Sequence, residues 1–154
     1  MTETLTAGVV HPHAELWDSW MRLWNGDYAV ADAVVADDVV LHLPKYGMPD
    51  PAVIRTRSAL TGWIAAFRSS YPEHGVIATD LGPFVVDDHV ICRWIFQGTW
   101  EGGRPESATA AAGTPVTLRG ADILRVVDGR IAEYWLSDDL LDVYVQLGAA
   151  LPQA

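Results

Sequence analysis

The first half of the chain carries apolar residues at helical spacing. Large apolar side chains recur three and four positions apart after Pro12, and the run stops at the pair Asn25-Gly26. Pro72 ends a similar run further along the chain. This half is therefore predicted to form helices over 12–24, 28–35 and 56–70, with a short strand over 39–43 and a loop over 44–51.

The second half has the long apolar runs that are typical of a β-sheet. Asp128-Gly129, between two such runs, is a strong signal for a two-residue hairpin turn. The predicted strands cover 75–86, 89–100, 116–127 and 130–137, and a last helix runs from the Ser137-Asp138-Asp139 group to Gly148. This order indicates an α+β fold, with a cone-shaped, curved antiparallel or mixed sheet wrapped on three N-terminal helices and a short C-terminal helix.

Size and charge narrow the classes of partner. The chain has 154 residues, enough for one domain, and its formal net charge is −10, which makes nucleic acid and anionic membrane surfaces poor partners. No apolar stretch approaches the roughly 18 residues of a membrane span, and the first residues lack the basic group of a signal peptide. We expect a single cytoplasmic domain over 13–149, between a flexible N-terminal tail (1–12) and a C-terminal tail (150–154).

Seven tryptophans are unusual for a domain of this size. They fit either an aromatic-lined interior that takes a flat apolar ligand or a core that uses indole rings as filler. The five histidines have no metal-ligand spacing and the single Cys92 cannot build a metal cluster, so we expect no metal.

The hairpin also predicts which residues share a face of the sheet. A two-residue turn pairs Val127 with Arg130, and directly opposed residues lie on the same face. Counting outward from that pair puts on one apolar face Leu118, Asp122, Leu124, Glu133, Trp135 and Asp139. Carboxylates in apolar surroundings raise their pKa or find a donor, and a raised pKa suits a general acid or base. Structural roles are the alternative, since Asp138 or Asp139 could cap the last helix.

Several motifs resemble one known family. They are Trp24-Asn25-Gly26-Asp27, Ala36-Asp37-Asp38-Val39-Val40-Leu41-His42, Arg68-Ser69-Ser70-Tyr71-Pro72, Arg93-Trp94 with Gly98-Thr99-Trp100, and Gly120-Ala121-Asp122 through Trp135 to Asp139 and Gln146-Leu147-Gly148. These segments resemble the SnoaL-like polyketide cyclases, in the superfamily named after nuclear transport factor 2. The resemblance covers most of residues 14–148. It implies a cone-shaped domain, a homodimer packed through the outer sheet face and a hydrophobic, polyketide-like substrate.

The same resemblance implies an activity and roles for particular residues. Family cyclases close a ring by intramolecular aldol condensation without metal or cofactor, using one aspartate as acid/base and a nearby histidine. The aspartate at Trp-x-x-x-Asp spacing after Trp135 is Asp139, and Asp138 is then the better candidate for the helix cap. His42 or protonated Asp122 would be the assisting donor. The substrate-binding set is Trp17, Trp20, Tyr46, Trp63, Arg93, Trp100 and Trp135.

Three other functions stay open from the sequence. Epoxide opening would need an arginine between two acids, and Arg93 or Arg119 could join Asp122 and Asp139, although the Arg-x-Asp spacing is missing. Cofactor-free hydroxylation is a second possibility on the same fold. The third is a module that binds a small molecule without catalysis, for which Asp122 and Asp139 would keep ordinary pKa values.

Overall fold

The helices precede most of the sheet along the chain, as the hydrophobic pattern predicts. The structure, a computed structural model, describes residues 11–152. The helices are α1 (Pro12–Trp24), α2 (Ala31–Val34), α3 (Arg57–Arg68) and α4 (Leu140–Gln146), with 3₁₀ turns at Tyr28–Val30 and Pro51–Val53. The strands are β1 (Val35–His42), β2 (Gly75–Val86), β3 (His89–Trp100), β4 (Thr114–Val127) and β5 (Arg130–Asp138). The α+β class is thus confirmed.

The predicted tails, 1–12 and 150–154, lie mostly outside the residues that the structure describes. Residues 1–10 and 153–154 lie outside the described part of the chain. Pro12 is the first residue of α1, as the hydrophobic pattern predicts, and it also marks the end of the predicted N-terminal tail. The domain boundaries themselves stay a prediction. No helix within residues 11–152 is long and apolar enough to cross a membrane.

The five strands form one sheet in the order β1-β5-β4-β3-β2. Strand β1 runs parallel to β5, and the other neighbours are antiparallel. Strand β1 begins at Val35 rather than at residue 39, so the predicted second helix is only a 3₁₀ turn followed by α2. The reason is tertiary, because the guanidinium groups of Arg57 and Arg130 both donate to the carbonyls of Asp32 and Val35 at this junction.

The core lies between one face of the sheet and helices α1 and α3. Trp17, Trp20 and Leu23 of α1 and Leu60 and Ile64 of α3 are fully buried there. Burying a large apolar side chain contributes roughly 1.5–3 kcal/mol each, so these residues fix the helices on the sheet. We call the sheet surface that packs on these helices the inner face; its opposite is the outer face. The inner face carries Trp94, Phe96, Leu118, Asp122, Leu124, Tyr134, Leu136 and Asp138.

The register of the β4–β5 hairpin differs from the prediction by one residue. The turn forms as expected, with Val127 opposite Arg130. A β-bulge then shifts the register, so that Arg125 lies opposite Glu133. A slip of one residue turns every later side chain to the other face. Our placement of Glu133, Trp135 and Asp139 on the apolar face is therefore wrong. The residues of β5 beyond the bulge that share a face with Asp122 are Tyr134, Leu136 and Asp138.

Candidate active site

A cavity of about 520 Å³ opens between the inner face and helices α1, α3 and α4. This is within the range of small-molecule sites, which is roughly 300–1,000 Å³. Its aromatic lining consists of Trp24, Trp63, Phe67, Tyr71, Trp94, Tyr134 and Tyr144. Residues 47–49, 104–107 and 150–152 also line it, so two loops and the end of the described chain contribute to its wall. Three of the tryptophans therefore line a cavity, while others fill the core.

Asp122 is the most deeply buried acid of the cavity wall, with 2% of its surface exposed. The indole N–H groups of Trp20 and Trp94 each donate to its carboxylate at 2.8 Å, and the Tyr134 hydroxyl donates at 3.2 Å. Burial raises the pKa of Asp122 to about 7, against the lowering effect of these three donors. The carboxyl group can therefore change its protonation state near neutral pH, and both of its oxygens are already engaged.

Gly120 makes this arrangement possible. The Trp94 ring lies across the backbone of Gly120, and a Cβ there would come within 2.8 Å of Trp94 Cε2. A larger residue would therefore push the indole away from Asp122. The Gly-x-Asp motif, which the sequence analysis identified only by its resemblance to a family, has this steric basis.

Asp138 is the second acid of the cavity wall. It lies opposite Gly120, and its side chain is partly buried. Burial raises the pKa of Asp138 to about 6, the Leu140 backbone N–H lowers it, and the charge of Asp139 raises it further. Its Oδ1 is buried, and no group within residues 11–152 donates a hydrogen bond to it. A carboxylate with an unused acceptor and a raised pKa is suited to take up a proton.

These raised pKa values predict that stability falls as the pH rises. The folded chain disfavours the ionised form of Asp138, so its contribution to the free energy of unfolding is fully present below its ordinary pKa of 3.8 and is lost as the pH passes through about 6. We expect the urea midpoint of the wild type to fall between pH 4 and 6 more steeply than that of Asp138→Asn. Asp139→Asn is the control, and its urea midpoint should fall between pH 4 and 6 nearly as steeply as that of the wild type. Parallel curves for the wild type and Asp138→Asn would contradict the assignment.

Asp139, the predicted acid/base, lies outside the cavity. Its side chain is exposed, it occupies the N-cap position of α4, and it makes no side-chain cap hydrogen bond. Its backbone N–H donates to the Arg119 carbonyl at 3.0 Å. The one-residue shift in the hairpin exchanges the positions of Asp138 and Asp139 relative to the prediction.

His42 and Trp135 lie together on the outer face. Their rings stack with centroids 4.7 Å apart and an interplanar angle of 5°. His42 Nε2 is 2.7 Å from Glu133 Oε1, and Arg125 Nε donates to the other carboxylate oxygen of Glu133 at 2.7 Å. Hydrogen bonds from His42 and Arg125 hold the pKa of Glu133 below its ordinary value. Neither His42 nor Trp135 lines the cavity, in contrast to the role predicted for them.

The other predicted substrate-binding residues have different positions. Trp63 lines the cavity as expected. The indoles of Trp17 and Trp100 are buried and donate to Thr79 Oγ1 at 2.8 Å and to the Arg104 carbonyl at 3.0 Å. Trp20 donates to Asp122 from the core and does not line the cavity. Tyr46 is 44% exposed and precedes residues 47–49, which do line the cavity. Arg93 is exposed and lies near Asp80. These five residues are thus not part of the cavity wall.

The arginines considered for epoxide opening are not part of the cavity wall. Arg93 and Arg119 are exposed, and neither lines the cavity. Within residues 11–152 no group of three or more His, Cys, Asp or Glu side chains is arranged to hold a metal ion.

Sequence reasoning missed several aromatic residues and two acids of the cavity, Glu106 and Asp138. Trp24, Trp94 and Tyr134 were available from the sequence as members of apolar runs, and only the true register assigns Tyr134 to the inner face. Trp24 has a further distinction, since its indole Nε1 is buried and no group among the described residues accepts its hydrogen. Tyr71 lines the cavity, and burial raises its pKa to about 12.

The homodimer predicted from the family resemblance stays a prediction. Strands β2 and β4 expose large apolar side chains, which are Val76, Leu81, Phe84, Val86, Ile123 and Val127. Exposed apolar patches of this kind are common at contacts between proteins.

Comparison with known sequences identifies one family. The family described as a SnoaL-like domain matches residues 16–134. No curated protein matches the chain in sequence.

Solved structures share the fold at low sequence identity. TsrD from Streptomyces laurentii is 24% identical with a TM-score of 0.75, and the match covers 90% of this chain and 96% of TsrD. IdmH from Streptomyces antibioticus, described as a proposed polyketide cyclase, is 23% identical with a TM-score of 0.75, over 91% of this chain and 100% of IdmH. A proposed polyketide cyclase from Bacillus cereus is 24% identical with a TM-score of 0.70, over 89% of this chain and 80% of its own.

Proposed function

Since the chain belongs to the SnoaL-like domain family, we propose that it is a cyclase that closes a ring in a polyketide-like substrate by intramolecular aldol condensation. Solved proteins of the same fold that are described as proposed polyketide cyclases support this class of reaction. The observation that carries the proposal is Asp138, a carboxyl group with an unused buried acceptor oxygen on the wall of an aromatic cavity.

Asp138 is the proposed general base. Its raised pKa of about 6 leaves it ionised at neutral pH, yet basic enough to take a proton from carbon beside a ketone. The resulting enolate carbon forms a bond to the carbon of a second ketone in the same molecule. The proton on Asp138 then passes to the new alkoxide oxygen. Substrate and aldol product are isomers, so the step needs no co-reactant.

The enolate oxygen needs a hydrogen-bond donor inside the cavity. His42, the donor predicted from the sequence, is on the outer face. The cavity wall offers the Tyr71 hydroxyl, which stays protonated because its pKa is about 12. It also offers the indole N–H of Trp24, which has no acceptor among the described residues. We propose that these two groups bind the ketone oxygen whose neighbouring carbon loses the proton.

Asp122 is proposed as a positioning residue. Three donors already engage its oxygens, so it is less free than Asp138 to contact a substrate. By holding the Trp94 indole and the Tyr134 hydroxyl, it keeps two aromatic walls of the cavity in place. Flat walls orient a flat substrate and exclude water, and such orientation supplies much of the rate in a ring closure.

The test uses a diketone that closes the same kind of ring. In 1-(2-acetylphenyl)propan-2-one the acetyl methyl group can attack the other ketone, and loss of water then gives 3-methyl-1-naphthol, whose fluorescence follows the reaction. We expect the wild-type protein to accelerate this closure over buffer and over an equal amount of heat-unfolded protein. If the diketone binds but its closure is not accelerated, the chain is a binding module for this class of ligand and not a cyclase.

A further inference from the structure

Arg104 is the single basic residue among those of the described chain that line the cavity. The same wall carries three acids, Glu106, Asp122 and Asp138. The whole chain has a net charge of −10, so its general field repels anions. The Arg104 guanidinium is therefore the group of the cavity wall that can attract an acidic ligand.

The backbone of Arg104 is held firmly on both sides. Its N–H donates to the hydroxyl of the buried Ser70 at 3.2 Å, and its carbonyl accepts from the buried Trp100 indole at 3.0 Å. These two hydrogen bonds fix the Arg104 backbone, from which the side chain extends, against the core. The side chain itself is exposed, and no carboxylate within residues 11–152 forms a salt bridge with it. Its hydrogen-bond donors are thus available to a ligand.

The two ends of the cavity differ in charge. Asp122 and Asp138 lie on the sheet side, where burial disfavours charge and an anionic group of a ligand would be repelled. Arg104 is on a loop at the solvent side, next to Pro105 and Glu106. A flat ligand with one carboxylate would therefore lie with that carboxylate at Arg104 and its uncharged end near Asp138.

We propose that Arg104 selects ligands that carry a carboxylate and sets the direction in which they enter the cavity. The proposal rests on the cavity being the substrate site of the proposed cyclase, and it names the substrate class as an aromatic or polyketide acid. A guanidinium group recognises a carboxylate by two parallel hydrogen bonds, which a neutral ester or amide cannot match. Glu106 is the neighbouring acid that would compete with the ligand for Arg104.

The test compares two ligands that differ only in charge. Binding of 2-naphthoate and of methyl 2-naphthoate is measured by calorimetry at pH 7.5, for the wild type, Arg104→Gln and Arg119→Gln. Arg119 is the matched control, because it is also exposed and unpaired among the described residues but lies on the outer face. We expect Arg104→Gln to weaken naphthoate binding about 5-fold, since an exposed ion pair contributes about 1 kcal/mol, and to leave ester binding unchanged.

The expected loss should shrink as salt is added, because the interaction is partly exposed. Arg119→Gln should behave as the wild type does with both ligands. The inference is overturned if the wild type binds naphthoate no more tightly than the ester, or if the two variants behave alike. Such a result would leave the proposed cyclase activity intact, since closure of the uncharged diketone does not depend on Arg104.

Discussion

Replacing Asp138 with Asn is expected to slow closure of 1-(2-acetylphenyl)propan-2-one about 10²- to 10⁴-fold, the usual contribution of one positioned general base. The amide cannot accept the proton from carbon, while its size and shape are those of the carboxyl group. Because Asp138 Oδ1 receives no hydrogen bond from the described residues, the change removes no donor–acceptor pair that includes this oxygen. The loss should therefore be seen in turnover, with ligand binding largely kept. The thermal midpoint at neutral pH should be kept or raised, because the folded chain disfavours the ionised carboxylate that the substitution removes.

Asp139→Asn is the matched control for this experiment. The residue is adjacent in sequence, but its side chain is exposed and is not part of the cavity wall. Its charge contributes only the last of the three influences on the pKa of Asp138, so its removal should change the rate far less. A large loss in Asp139→Asn with little effect of Asp138→Asn would restore the assignment that the family resemblance first implied.

Replacing Asp122 with Ala is expected to cause the largest loss of stability, about 3–5 kcal/mol. The substitution leaves the indole N–H groups of Trp20 and Trp94 and the hydroxyl of Tyr134 buried without an acceptor. Each buried donor without a partner costs about 1–3 kcal/mol, and the lost carboxyl group also leaves a small void. For a domain of this size the thermal midpoint should fall by roughly 6–20 °C.

Asp122→Asn and Asp139→Ala separate the causes of that loss. Asn keeps one acceptor oxygen and turns an amide N–H₂ toward donors, so its loss should be intermediate. Asp139→Ala removes an exposed acid at the junction of β5 and α4 that makes no side-chain cap hydrogen bond, and it should change stability little. Chemical denaturation at pH 5 measures all three. A stability of Asp122→Ala within about 1 kcal/mol of the wild type would mean that the three donors find other partners.

The fold could be predicted from local patterns because those patterns and the tertiary structure agree. Pro12 and Asn25 bound the first helix, and Asp128-Gly129 forms the turn that its sequence favours. The exception is the segment before β1. There Arg57 donates to the carbonyl of Asp32 in α2, and Arg130 donates to the carbonyl of Val35 at the start of β1. Both arginines are distant from this segment in the sequence. No local pattern could have predicted that contact.

The site was only partly predictable, and the β-bulge in the β4–β5 hairpin explains much of the difference between the predicted and the observed site residues. The extra residue of β5 lies between Ile131 and Glu133 and changes which later residues of β5 face the core. The turn sequence Asp128-Gly129 does not by itself distinguish a regular hairpin from a bulged one. The bulge adds a residue to β5 and leaves the alternation along β4 unbroken, so Asp122 was placed correctly on the inner face. Tyr134 was assigned to the other face for this reason. Asp138 was taken as the helix cap because both the hairpin count and the family's Trp-x-x-x-Asp spacing indicated Asp139 as the acid.

The tryptophans show a second limit of the sequence. Their number predicted an aromatic interior, and Trp24, Trp63 and Trp94 do line the cavity. Which rings fill the core, which support an acid and which reach the cavity depends on packing distances that composition does not contain. Trp135, on the outer face beside His42, is the clearest example.

The crystal structure of the protein with 3-methyl-1-naphthol bound is the most direct test of the claim that Asp138 contacts the reacting carbon. That carbon becomes C2 of the naphthol. We predict that the naphthol lies in the aromatic cavity with a carboxylate oxygen of Asp138 within about 3.5 Å of C2, the distance of a reacting pair. A naphthol bound against Trp135 on the outer face, or bound in the cavity with Asp139 rather than Asp138 beside C2, would contradict it.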